Sequence, residues 1–210
     1  MLRILDITAP DINNGNGIRV TLWVAGCKHH CKGCHNQWTW DFNQGKPLTD
    51  DKFGREIYNQ LENWLSRDYV EGLTISGGDP LCQDEDALYE LNEIILWVHQ
   101  EMQKNVWIYT GYVYEDLLKE IENNPNTDRS KALRAILNSV DVLVDGPFIE
   151  EKKDFNESVN NLNNFGIYLK NPNKKGYYSE LLIKDIERDL LDESIVNIIN
   201  EKKNEILNND

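Results

Sequence analysis

The stretch IRVTLWVAGCKHHCKGCHN, residues 18–36, runs from a hydrophobic segment straight into three of the chain's four cysteines. Residues 18–24 are β-branched and aromatic and follow the turn-forming NNGNG at 13–17, so they read as the first strand. Cys27, Cys31 and Cys34 then sit on the loop leaving that strand. The segments downstream decide what kind of sheet the strand belongs to.

Phe53, Ile57, Leu61 and Leu65 recur every four residues behind Asp50 or Asp51, which predicts a capped helix to about Leu65. GLTIS at 72–76 predicts a buried strand ending in Gly77 and Gly78. Leu88, Leu91, Ile94, Ile95 and Val98 mark a long amphipathic helix from Asp84 to about Gln103, and VWIYT at 106–110 follows as a third strand. Two more helices are predicted, about Glu115 to Ile121 and over SKALRAILNSV at 130–140. DVLVDG at 141–146 is a fourth strand ending at glycine. Strands alternating with helices predict an α/β fold with a mainly parallel sheet whose strand ends carry the chemistry.

Beyond Phe148 the pattern weakens into the asparagine-rich DFNESVNNLNNFGIYLKNPNKKG, where IYL at 167–169 offers one short strand. Helical spacing returns at Leu182, Ile186, Leu190, Ile195, Ile198 and Ile199. The expected organisation is a core over residues 1–154, then an asparagine-rich connection and a helical C-terminal extension over 155–210.

The balance of 36 acidic against 22 basic residues gives a net charge of −14, and no basic run relieves it. A phosphate backbone would be repelled, which argues against nucleic acid as a direct partner. The opening MLRILDITAPDI meets Asp6 and Pro10 before an apolar core of secretory length forms, and no run reaches the roughly 18 apolar residues of a membrane span. The expectation is a cytoplasmic protein without a membrane. In that reducing compartment a tight cysteine cluster points to metal binding or catalysis rather than disulfides.

The cysteine spacing is C-x3-C-x2-C, and two metals suit it. Structural zinc is closed and four-coordinate, so His29, His30 or His35 would complete a three-cysteine set. A four-iron cluster takes one cysteine per iron, so three cysteines leave one iron open to bind a substrate and pass it an electron. Cys82, in GGDPLCQD, is either a fourth ligand or a small buried residue at a helix start. SGGDP at 76–80 is the second signal. Two glycines let backbone approach a small molecule, Asp79 offers a carboxylate and Pro80 stops the strand; a plain turn is the alternative. It falls one strand and one helix after the cysteine loop, so in a parallel sheet both motifs emerge at the same edge.

With these two motifs the chain resembles the radical S-adenosylmethionine superfamily. Its longer stretches DINNGNGIRVTLWVAGCKHHCKGCHNQWTWDFNQGKPLTD, ISGGDPL, VWIYTGY and VDVLVDGPFIEEKKD resemble the activating proteins of anaerobic ribonucleoside-triphosphate reductase, over about residues 6–154. The resemblance implies an incomplete (β/α) barrel of the radical S-adenosylmethionine type, open on one side to a large protein substrate. It implies that Cys27, Cys31 and Cys34 hold one [4Fe-4S] cluster per chain, whose open iron is chelated by the methionyl group. Contacts to S-adenosylmethionine are implied for Gly33, Cys34 and His35, and for Gly77, Gly78, Asp79 and Pro80.

By the same resemblance the chemistry is carried by the cluster and S-adenosylmethionine rather than by a catalytic side chain. An electron from reduced flavodoxin or a similar donor splits the sulfonium, and the deoxyadenosyl radical takes hydrogen from a glycine of the reductase. Activation of another glycyl-radical enzyme, or a reaction like that of the 7-carboxy-7-deazaguanine synthases, is the alternative within the superfamily. Outside it, a non-enzymatic zinc or iron–sulfur module is the alternative.

Several further residues have two readings each. Thr110 to Tyr112 line the S-adenosylmethionine pocket or form a simple turn, and Asp145 and Gly146 face the same cavity. Asn14, Gly15 and Gly17 shape its mouth or merely turn the chain. His35 stacks on adenine or is a solvated loop residue. Trp38 and Trp40 shield the cluster or meet the partner, with plain packing the default. After the DGPF segment the chain departs from the family's usual ending, which leaves its partner surface undefined.

Overall fold

Side chains alternate across a strand, so one strand can serve two faces of a sheet. In the strand Ile18–Val24, here β2, Val20, Leu22 and Val24 enter the main hydrophobic core while Arg19, Thr21 and Trp23 take the opposite face. The computed structural model describes residues 1–149 and 166–169, all within the first of two units into which the chain divides, Met1–Lys174. The expected boundary at residue 154 and the expected helical extension lie outside the described residues.

The other strands are β1 (Arg3–Asp11), β3 (Lys46–Pro47), β4 (Val70–Gly77), β5 (Asn105–Tyr109), β6 (Val142–Asp145) and β7 (Gly166–Leu169). Together they make one mixed sheet in the order β3-β1-β2-β4-β5-β6-β7. Its centre is parallel, from β2 through β4 and β5 to β6, and the flanking pairs β1–β2, β1–β3 and β6–β7 are antiparallel. The fold is therefore α/β with a mostly parallel sheet.

One correction concerns the start of the chain. Residues 18–24 are not the first strand, because β1 precedes them and pairs with β2 from Ile4 opposite Val24 to Asp11 opposite Arg19. Over most of its length β1 has a neighbour on one side only. Such an edge tolerates Pro10 and the two aspartates that mask it in the sequence.

Among the described residues, four α-helices follow the predicted segments: α1 (Asp51–Leu65), α2 (Glu85–Trp97), α3 (Tyr114–Asn123) and α4 (Asp128–Ser139). Asp50 caps α1 by accepting from the Phe53 amide at 2.8 Å, and Asp84 caps α2 by accepting from the Ala87 amide at 2.8 Å. Beyond Trp97 the hydrogen bonding changes to a π-type turn, Val98–Met102, which Gln103 ends in the left-handed region at φ 55°. Helix residues such as Leu61, Leu88, Leu91 and Leu133 are fully buried in one core with Leu22, Leu73, Ile75 and Ile108 of the sheet. Each such leucine contributes about 2 kcal/mol by leaving water. The opposite sheet face carries a small cluster of Trp107, Val142 and Val144. Among the described residues no helix is long and apolar enough to cross a membrane.

Candidate functional site

Because β2, β4, β5 and β6 are parallel, the loops leaving their C-terminal ends share one edge of the sheet, as the pairing of Val24 with Gly77 shows. A cleft of about 180 Å³ opens between those loops. Cys27, Cys31, Cys34 and His35 line one wall, and Gly77, Gly78, Asp79 and Thr110 line the other. The cysteine loop closes on itself: the Gly26 amide donates to the Thr39 carbonyl at 2.8 Å and the Cys27 amide to the Trp40 carbonyl at 3.1 Å. Within it the Cys34 amide donates to the Cys31 carbonyl at 3.2 Å, and the Asn36 amide donates to the Cys34 sulfur at 3.4 Å. All four cysteines are free thiols.

The turn after β4 is joined to that loop by backbone. The Gly78 amide donates to the Val24 carbonyl and the Asp79 amide to the Gly26 carbonyl, each at 2.8 Å. Gly77 adopts φ +120°, and a Cβ there would meet the Val24 carbonyl oxygen at 2.5 Å. The glycine pair thus lets two backbones close on one another.

Gln83, not singled out from the sequence, completes the joint. It is buried, and its Nε2 donates to the Ala25, Gly26 and Asp79 carbonyls at 3.0, 3.3 and 2.8 Å.

Asp79 is 1% exposed, and both its oxygens are engaged. Oδ1 accepts from the Leu81 amide at 2.8 Å and from Thr110 Oγ1 at 2.9 Å. Oδ2 accepts from His29 Nε2 at 2.6 Å and from the Gly111 amide at 2.9 Å. Asp79 therefore fastens the cysteine loop to the end of β5, and Thr110 serves that clamp as well as the cleft wall. The carboxylate raises the His29 imidazole above its ordinary pKa, against the opposing effect of burial. Burial pushes the Cys27 thiol up to about 11, so binding a metal there releases a proton.

Other residues named from the sequence fall differently. Gly33, at φ +74°, and the buried Pro80 shape their turns without lining the cleft. Cys82 is buried and also absent from the lining; its thiol hydrogen-bonds with the Tyr112 hydroxyl, whose pKa is raised by burial first and by this contact second. Gly146 reaches the cleft, whereas the Asp145 carboxylate turns away to accept from the Tyr114 amide at 2.7 Å.

Asn14 lies at the far end of β2, where its carbonyl accepts from Thr74 Oγ1 at 2.6 Å, so the turn at 13–17 does not form the mouth. The packing expected of Trp38 fails, since that ring is 51% exposed. Its centroid is 6.0 Å from Trp23. Trp40 lines the cleft and meets the His30 ring edge-on at 4.7 Å. His35 is tilted against Phe148 at 5.2 Å.

Three free thiols on one wall of the cleft fit a cluster in which each sulfur takes a separate iron.

Comparison with known proteins agrees. Residues 13–168 match the family model described as a 4Fe-4S single cluster domain. The chain is 40% identical over 150 residues to the anaerobic ribonucleoside-triphosphate reductase-activating protein of Haemophilus influenzae, covering 69% of this chain and 83% of that protein. It is 35% identical over 139 residues to the protein of that name from Enterobacteria phage T4, covering 66% and 76%. The Escherichia coli K12 protein of that name is 34% identical over 145 residues, covering 69% and 83%. On this similarity, joined to the three-cysteine cleft, the chain belongs to the anaerobic ribonucleoside-triphosphate reductase-activating protein family.

Proposed function

We propose that the protein is a radical S-adenosylmethionine activase that generates a glycyl radical on anaerobic ribonucleoside-triphosphate reductase. The observation that carries this is the common cleft: three free cysteines on one wall and Gly77, Gly78 and Asp79 on the other, joined through Gly26. When bound, the [4Fe-4S] cluster and S-adenosylmethionine supply one-electron reductive cleavage and hydrogen-atom abstraction.

The protein's own residues hold and orient these groups. Cys27, Cys31 and Cys34 are the cluster ligands, and the Asn36 amide stabilises the Cys34 thiolate and tunes the potential. Gly77 and Gly78 present backbone to the methionyl group from the cleft wall that Asp79 also lines, and Asp79 and Pro80 hold the shape of the turn. Cys34 and His35 contact the cofactor beside the third thiolate, on the turn that Gly33 shapes. His35 and Phe148 offer the aromatic surface for adenine. Thr110 holds the facing wall through Asp79. Tyr109, Val144 and Phe148 add apolar lining that excludes water, which a radical reaction requires.

The parallel centre of the sheet serves as an incomplete (β/α) barrel of the radical S-adenosylmethionine type, with residues 1–154 as its core. A cytoplasmic setting with flavodoxin or a similar one-electron donor fits the four unpaired cysteines. The test is anaerobic mixing of the reconstituted protein with the reductase, S-adenosylmethionine and a reductant. A carbon-centred doublet in electron spin resonance is the expected outcome. A colourless protein that holds zinc, or an iron protein that leaves S-adenosylmethionine intact, would overturn the assignment.

A further inference from the structure

The cysteine loop and the glycine turn belong to different segments, yet the proposed chemistry needs the cluster and the sulfonium held in a fixed relation. Backbone bonds from Gly78 and Asp79 join them on one side. On the cleft side the His29 side chain spans the gap. It lies between the first two cysteines, and its Nε2 donates to Asp79 Oδ2 at 2.6 Å. The ring is held from two further directions. Tyr112 meets it edge-on, with centroids 4.7 Å apart and planes at 78°. Gly111 presents no side chain to it, and a Cβ there would meet His29 Cδ2 at 2.6 Å. The same Asp79 carboxylate accepts from Thr110 Oγ1 and the Gly111 amide, so one buried anion gathers three of the loops around the cleft.

We propose that His29 is a positioning residue: through Asp79 it sets the placement of the cysteine loop relative to the turn that receives S-adenosylmethionine. This rests on the reading given under Proposed function. The geometry separates His29 from its neighbour His30, which meets the Trp40 ring edge-on. Misplacement of reacting groups by about 1 Å can cost roughly 100-fold in rate, so a strut of this kind bears on turnover without touching substrate.

The test compares wild type with His29→Gln, His29→Phe and Thr110→Val, each reconstituted anaerobically. The Gln amide reaches about as far as the imidazole Nε2 and can donate to Asp79; Phe keeps the ring and loses the donor. Three quantities are read: iron per chain, the change in the spin-resonance signal of the reduced protein as S-adenosylmethionine is titrated in, and 5′-deoxyadenosine yield. The expected result is wild-type iron throughout, with the His29→Phe titration weakened about tenfold and its end-point signal altered, and His29→Gln near wild type. Thr110→Val shifts the titration in the same direction by less.

A His29→Phe protein that titrates like wild type overturns the proposal. So does one that loses iron, because His29 would then serve the cysteine loop itself. If His29→Phe does not fold, Thr110→Val decides: a weakened titration with iron retained supports the strut, and an unchanged one overturns it. Failure of the parent reading looks different, since the wild-type signal itself would then not respond to S-adenosylmethionine.

Discussion

Gly78 lies against the backbone of Gly26. A Cβ at position 78 would come within 2.7 Å of the Gly26 nitrogen, closer than real Cβ contacts occur. Two elements far apart in the chain are thereby held at peptide-to-peptide distance, at the place where the cysteine loop begins.

Gly78→Ala is expected to destabilise the protein by about 1–3 kcal/mol, because rigid backbone on both sides must shift to admit one methyl group. Thermal unfolding of the cluster-free protein checks this. S-adenosylmethionine binding by the reconstituted variant should weaken more than its iron content falls.

The cysteines divide into two classes. Serine at position 27, 31 or 34 should abolish the brown colour and reduce iron per chain to near background. Cys82→Ala should leave both unchanged, because Cys82 is buried away from the cleft lining and interacts with Tyr112. Its cost is packing, about 1 kcal/mol. Loss of iron in Cys82→Ala would show four-cysteine ligation and contradict the open iron.

Gln83→Leu leaves the Ala25, Gly26 and Asp79 carbonyls without their shared donor. Gly26 keeps the Asp79 amide and Asp79 keeps the Cys82 amide, while a buried acceptor left unpaired, as at Ala25, costs about 1–3 kcal/mol. The variant should melt several degrees lower, and hydrogen exchange should quicken first at residues 24–28 and 78–82. A uniform change across the sheet would argue that Gln83 has no local role.

Asp145 offers a pH test. Burial raises its carboxyl pKa; the Tyr114 amide opposes this, and Glu115 adds to it. A folded-state pKa above the unfolded one means that ionisation costs stability at neutral pH, and that this cost vanishes as pH falls below the unfolded value. Asn at position 145 keeps an acceptor for the Tyr114 amide and carries no charge. Asp145→Asn is therefore expected to unfold at a higher temperature than wild type at pH 7–8, with the gain shrinking toward pH 4. A gain that grows on acidification would refute the sign.

Local pattern carried much of this structure. The four-residue recurrence from Phe53 to Leu65, the β-branched run at 18–24 and the glycine after each central strand all act over a few residues, so α1, β2 and β4 were readable without the fold. Cysteine spacing is equally local; it pointed to a thiolate-bound metal, zinc or iron–sulfur, and with the SGGDP turn to the sheet edge. β1 escaped because an edge strand lacks the hydrophobic run of a central one and accepts Asp6 and Pro10.

Other features depended on residues meeting across long stretches of chain. His29 meets Asp79 across 50 positions, Thr110 meets Asp79 across 31 and Gln83 meets Ala25 across 58. No periodicity or spacing encodes such pairings, since any buried polar side chain finds its partner only once parallel pairing has brought the strand ends together. The three thiols could therefore be counted from the residue order. Their placement against the glycine turn, and the direction in which Cys82 and Asp145 face, were settled by the assembled sheet.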